Sequence, residues 1–172
     1  SSNCSMAIFA CLSIFIYVCF VVSKFLTMEV LSRFIEAQES AYSGYNQALA
    51  EMKSGGKQSH WIWYIFPQIV GLGRSGMARR YAIQSVEEAK AYLEHPVLGS
   101  RLREITNIVL SYSDNADPNV FMMASIDAMK LKSCMTLFDY ISPHDIFGEV
   151  LRKFYGDQKD THTIKILEHP FV

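Results

Sequence analysis

From Lys57 to Ser75 the chain reads KQSHWIWYIFPQIVGLGRS, the stretch around which the rest of the chain is organised and whose own start can be read as extended or helical. His60 to Phe66 fits a short strand with Trp61, Trp63 and Ile65 on one side. It fits equally well one to two helical turns with Trp61 over Ile65, because so short a run carries no usable periodicity. Pro67 disfavours helix at Phe66 and ends either element. Gly71 and Gly73 allow backbone conformations closed to other residues, and Ser75 can cap a helix starting at Gly76. Aromatic walls, a few polar heads and a glycine turn feeding a helix start are the ingredients of a small-molecule pocket, and equally of a core beside a loop.

Outward from this stretch everything reads as helix. On the N-terminal side Leu31, Phe34, Ile35, Gln38, Ala41, Tyr42, Tyr45, Leu49 and Met52 recur at three- and four-residue spacing, one apolar stripe that Ser54-Gly55-Gly56 terminates. On the C-terminal side Ser85-Val86-Glu87-Glu88 is a capping box ahead of a helix that Pro96 closes. A helix over Val97 to Tyr112 follows, with Leu98, Leu102, Ile105, Val109 and Tyr112 buried and His95 at the junction. Asp114 to Asn119 is a loop by its turn chemistry. Ser125 to Phe138 places Leu131, Cys134, Met135 and Phe138 on one core face, which makes Cys134 a small apolar filler. Ile146, Phe147, Val150, Leu151 and Phe154 form a further stripe ending at Gly156, and Asp160 caps a last helix carrying Ile164 and Leu167. The fold class is therefore all-α, a single compact orthogonal multi-helix domain with at most one short extended segment around Trp61 to Phe66.

At 172 residues, half of them hydrophobic, the chain suits one domain with a sizeable core. A net charge of −1 gives no electrostatic reason to expect nucleic acid as a partner. Cys4, Cys11 and Cys19 sit in the N-terminal run and Cys134 alone lies in the helical domain, so there is neither a disulfide framework nor a zinc spacing. No metal and no cofactor are expected, and the domain reads as one from a reducing, cytoplasmic compartment. Met6 to Ser23 carries no charge, while Lys24 and Arg33 follow it. Residues 1–27 are accordingly an apolar leader, read either as a membrane anchor leaving the domain on the cytoplasmic side or as upstream translation, with a cleaved signal less favoured. Residues 28–172 are the domain.

Two clusters carry chemistry. At the start of the helix that Ser75 caps, unpaired N–H groups with Arg74 beside them, and Arg79 and Arg80 one turn on, would suit a phosphate; a purely structural turn satisfies the same pattern. Asp127, Lys130 and Ser133 follow at three-residue spacing on one helix edge, where a carboxylate and an ammonium could orient a ribose or phosphate and transfer a proton, or form an exposed ion pair of little worth.

The order Phe34-x-x-Ala37-Gln38, Gly56-Lys57-x-x-His60-Trp61-x-Trp63-x-x-Phe66-Pro67-Gln68, Gly71-Leu72-Gly73-x-Ser75, Tyr81-Ala82-Ile83, His95-Pro96-x-Leu98-Gly99-x-Arg101-Leu102, Asp127-x-x-Lys130-Leu131-x-Ser133-x-Met135-Thr136-Leu137-Phe138 and Asp160-x-x-Thr163 resembles the family catalogued as domain of unknown function 1810, some members of which are labelled calpastatin. The resemblance covers about Leu31 to Leu167 and implies a mainly helical single domain with no established activity. The chain departs from it before the Asp-x-x-Lys motif, where a Phe-Gly pair is expected and Phe121-Met122-Met123-Ala124 stands. Met135 to Phe138 followed by Phe147 to Leu151 is loosely similar to the NADAR family, which acts on ADP-ribose N-glycosidic linkages, and this likeness implies a ligand class alone. Two functional expectations result. One is a nucleotide or ADP-ribose-type pocket, extending to an N-glycosidase-like hydrolase, with Asp127 and Lys130 catalytic and Lys57, His60, Trp61, Trp63, Gln68, Gly73, Arg74, Ser75 and Ser133 binding the ligand. The other is a non-catalytic protein interaction domain in which the same aromatics are core.

Overall fold

The structure, a computed structural model, describes residues 14–19, 21–22 and 29–169, and the chain divides into two units, residues 1–33 and 34–172. In the first unit the described residues are helical, and the side chains of Ile14 to Val18, Val21 and Val22 are exposed. Among the described residues no helix is long and apolar enough to cross a membrane. The expectation for the leader rests largely on residues outside the described ones.

The second unit is all-α. Its elements are α1 (34–38 of the helical run 29–38), α2 (Tyr45–Lys53), α3 (Ile62–Ile65), α4 (Gly76–Arg80), α5 (Val86–Glu94), α6 (Leu98–Ser111), α7 (Pro118–Phe121), α8 (Ser125–Ile141), α9 (Phe147–Tyr155) and α10 (Thr161–Glu168). Helix α8 is the hub: α3, α5, α7, α9 and α10 all pack on it. Its sequence explains this, since Ala128, Leu131, Cys134, Met135, Leu137 and Phe138 bury more than one stripe, as a helix surrounded by partners must. A chain of rings runs through the centre, Phe34 to Tyr92 at 5.1 Å edge to face, Tyr92 to Phe138 at 5.6 Å and Phe138 to Phe147 at 5.6 Å. These separations suit aromatic pairs, which prefer tilted and edge-on contacts. Gln38 is buried beside them, its Nε2 donating to Tyr64 O at 2.8 Å and to the Tyr92 hydroxyl at 3.1 Å.

Two local expectations are corrected and one alternative that the sequence left open is resolved. The stripe from Leu31 to Met52 is not one helix, because residues 39–44 form turns; a Cβ at Gly44 would run into the carbonyls of Gln38 and Ser40, and the tight reversal leaves Ala41 and Tyr42 exposed. The stretch Trp61 to Phe66 is not extended. Residues Ile62–Ile65 form a helical turn flanked by Trp61, with φ −130° and ψ 1°, and by Phe66, which before Pro67 leaves helical geometry with φ −120° and ψ 72°. The extended pairing lies just beyond, in a single parallel bridge between Ile69 and Ile83, where Val70 N donates to Ile83 O and Ile83 N to Gln68 O, each at 2.8 Å. Third, the loop expected over Asp114 to Asn119 ends earlier, because Pro118–Phe121 is a helical turn capped by Asp117, whose carboxylate accepts from Asn119 N.

The expected caps are present. Ser75 Oγ accepts from Ala78 N, Ser85 Oγ from Glu88 N, and Asp160 from Thr163 N at 2.9 Å. His95 Nδ1 accepts from Val97 N and Leu98 N and so joins α5 to α6.

Candidate functional site

The bridge between Ile69 and Ile83 closes the base of the excursion that holds Gly71 to Arg80, and this loop stands over one edge of α8 and the start of α10. Between them lies a groove of about 640 Å³. Its polar lining comes from Gln68, Arg74, Ser75, Lys130, Ser133, Asp160 and His162, and its apolar lining from Trp63, Leu72, Ala78, Ile126 and Met129. That volume lies inside the usual range of small-molecule sites, about 300–1,000 Å³.

The groove is deepest along α8. Ser133 is 5% exposed and Lys130 is half-buried, whereas Arg74, Ser75, Ile126 and Met129 are exposed at the rim. Lys130 is held in place from two sides. Its Nζ lies 2.9 Å from Asp127 Oδ1 and 4.8 Å from the centroid of the Trp63 ring. The other oxygen of Asp127 meets Lys57 Nζ at 2.8 Å, and that ammonium, whose side chain is 1% exposed, stands 5.6 Å from the Trp61 ring. A buried lysine beside a buried carboxylate is tolerable only as a pair, since either charge alone would carry its full desolvation cost. Burial pushes the Asp127 carboxyl upward, but hydrogen bonds and charge from Lys57 and Lys130 outweigh it and hold the group below the usual carboxylate range.

This arrangement removes Asp127 from the role expected of it. An ionised carboxylate with an ammonium on each oxygen is a poor proton acceptor, and Asp127 does not line the groove. It positions Lys130 instead. Lys57 and Trp61 are likewise away from the groove. Trp61 is fully buried, and its indole Nε1 donates to Glu51 Oε2 at 2.7 Å. Lys57 donates its backbone N–H to Phe121 O at 2.7 Å, joining the loop after α2 to α7. His60 is exposed and does not line the groove. Trp63, Gln68, Gly73, Arg74, Ser75, Lys130 and Ser133 do come together there. The helix start counts for less than its sequence promised, because α4 spans only Gly76–Arg80 and the Ser75 hydroxyl already takes Ala78 N. Gly73 is required by packing, since a Cβ there would collide with that of Ala78.

Several participants were missed. Ile126 and Met129 lie off the buried stripe of α8, and apolar residues on the wet side of a helix were the available signal. His162 reaches the groove because α10 is pinned to α8: Asp160 N donates to Thr136 Oγ1 at 2.9 Å, and nothing local in the sequence shows that contact. Glu51, which accepts from Gln58 N and Ser59 N and so organises the loop after α2, carried no signal in the sequence. Among the described residues no group of three or more His, Cys, Asp or Glu side chains could hold a metal ion. Cys134 is fully buried, and burial pushes its thiol well above the ordinary range, which suits a core filler and not a nucleophile.

The chain belongs to the family described as Protein of unknown function (DUF1810), whose model matches residues 28–167. Among solved structures it is similar to that of the conserved hypothetical protein Rv1873 from Mycobacterium tuberculosis, with 39% sequence identity and a TM-score of 0.75 over 80% of this chain and 96% of that one. No curated protein matches it.

Proposed function

We propose that this member of the DUF1810 family binds a nucleotide or ADP-ribose-type small molecule in the groove between the Gly71 to Arg80 loop, α8 and α10. One observation carries the assignment: a groove of small-molecule size sets an ammonium, immobilised by Asp127 and the Trp63 ring, beside an apolar wall. A fixed cation needs no reordering when an anion arrives, so less binding energy is lost to side-chain entropy. Arg74, which meets no carboxylate among the described residues, adds a second cation at the rim. The geometry favours binding over hydrolysis, because the one carboxylate expected to transfer protons is engaged on both oxygens.

A thermal-shift screen against AMP, ADP and ADP-ribose tests this. A ligand at a hundred times its dissociation constant adds about 2.7 kcal/mol of stability. Stabilisation of the parent protein that Lys130→Met abolishes is the expected result, and no shift with any of the three at millimolar concentration rejects the assignment.

The alternative, a protein interaction surface, is favoured by one separate feature. Val120 on α7, Met123 in the turn that follows it, and Ile126 and Met129 on α8 are 75%, 49%, 60% and 66% exposed. Exposed apolar side chains, where they adjoin, mark contact sites.

A further inference from the structure

The hydroxyls buried on the helices are not alike. Thr106 Oγ1 donates to Leu102 O at 2.7 Å and Thr136 Oγ1 to Lys132 O at 2.8 Å, the usual return of a helical hydroxyl to the carbonyl four residues back. Ser133 is buried but less deeply, 5% exposed against 0% for both threonines, and its Oγ meets no partner among the described residues and opens on the groove. Gln68, also on the groove, has a side-chain amide with no partner among the described residues. No side-chain nitrogen or oxygen among the described residues is both fully buried and unsatisfied, so the Ser133 hydroxyl is reached from the groove and is open to a ligand atom.

The charge around it decides what that atom is. Lys130 stands one turn before Ser133 on the same edge of α8, and Asp127 does not cancel it, because Lys57 shares the same carboxylate. Two ammoniums against one carboxylate leave this edge of α8 with a net positive charge, while the other carboxylate of the lining, Asp160, has its Oδ2 taken by Thr163 N and Thr163 Oγ1. A neutral sugar hydroxyl would satisfy Ser133 but leave that charge unanswered, whereas a phosphoryl group answers both. Resting on the groove assignment above, we propose that Ser133, Lys130 and Gln68 form a phosphoryl subsite at the floor of the groove, so that the ligand enters phosphate first and its apolar or aromatic body lies against Ile126 and Met129. Lys57 is a positioning residue for it: it touches no ligand and keeps Lys130 from being neutralised. This places the phosphate on α8 and not at the Arg74-Ser75 turn.

Isothermal titration of the full chain with AMP, adenosine and inorganic phosphate, on the parent protein and on Ser133→Ala, Lys130→Gln and Arg74→Ala, tests the assignment. A hydrogen bond to a charged group supports an expected loss of about tenfold or more in AMP affinity for Ser133→Ala. Adenosine affinity is expected to stay unchanged in that variant, and Arg74→Ala to lose less AMP affinity than Lys130→Gln. Circular dichroism checks that each variant is folded, and Lys130→Gln gives an independent readout should Ser133→Ala disturb α8. If AMP binds no tighter than adenosine, or if Arg74→Ala alone abolishes the preference for AMP, the subsite is wrong while the groove still binds. Inorganic phosphate lost on Ser133→Ala, with no nucleotide bound by the parent, keeps the subsite and rejects the nucleotide class. No binding of any probe rejects both.

Discussion

Glu51 is the residue whose removal the structure makes most costly for its apparent insignificance. Its carboxylate is buried and faces no ammonium; instead Oε1 accepts from Gln47 Nε2 at 2.9 Å and Ser59 Oγ at 2.5 Å, and Oε2 from Gln58 N at 2.7 Å, Ser59 N at 3.0 Å and Trp61 Nε1 at 2.7 Å. Burial alone would raise its pKa, but these hydrogen bonds prevail and lower it from 4.5 to about 2. A difference of this size, at 1.36 kcal/mol per unit, corresponds to about 3 kcal/mol by which the ionised form favours the folded state. The sign follows from the depressed value: the contribution is complete above the unfolded pKa of 4.5 and disappears as the pH falls toward about 2. Glu51→Gln mimics the protonated side chain. Urea unfolding followed by fluorescence of the two tryptophans, Trp61 and Trp63, should therefore find the variant less stable by about 3 kcal/mol at pH 7. The gap between parent and variant should close as the pH is lowered through the interval from 4.5 to about 2. Asp127 and Asp145 also have lowered values, but they are present in both proteins and cancel in the difference. A variant as stable as the parent at neutral pH, or a gap that does not change with pH, would refute the assignment of that stability to Glu51.

Other outcomes follow from the same packing. Trp61→Ala should cost about 3 to 5 kcal/mol in chemical denaturation, because a fully buried indole and a Glu51 donor are lost together. Ligand affinity of its folded fraction should not change, and a specific loss of affinity would place Trp61 in the site after all. Met123 adopts φ 70° with a half-exposed side chain, so Met123→Gly should stabilise by up to about 1 kcal/mol, visible as a raised urea midpoint with an unchanged slope; destabilisation would show that its side-chain contacts outweigh the strain. Gly56 has φ 156°, and a Cβ there would lie 2.7 Å from Phe121 O and 2.9 Å from Phe121 Cα. Gly56→Ala should therefore cost about 1 to 3 kcal/mol by backbone strain alone and expose amides of α7 to hydrogen exchange, and unchanged protection there would contradict the close approach.

Read alone, the amino-acid order was enough for whatever is local and periodic. The stripe Leu98, Leu102, Ile105 and Val109 is buried on α6, the caps at Ser75, Ser85 and Asp160 are made, and His95 joins two helices, because each depends on residues within one or two turns. The same order put eleven residues into one candidate site, of which Trp63, Gln68, Gly73, Arg74, Ser75, Lys130 and Ser133 line the groove and Lys57, His60, Trp61 and Asp127 do not. What only the tertiary structure decided was which side of each residue is filled. Trp61 and Trp63 are two positions apart in a stretch too short for periodicity to assign a face, and long-range partners made the choice: Glu51 takes the indole of one into the core, while Lys130, from α8, covers the ring of the other at the groove. Asp127 and Lys130 have the spacing of a surface ion pair, and it is Lys57, far away in sequence, that converts them into a buried triad and leaves the ammonium charge uncancelled. Charge balance and desolvation depend on what arrives from other elements, so no local pattern can encode them.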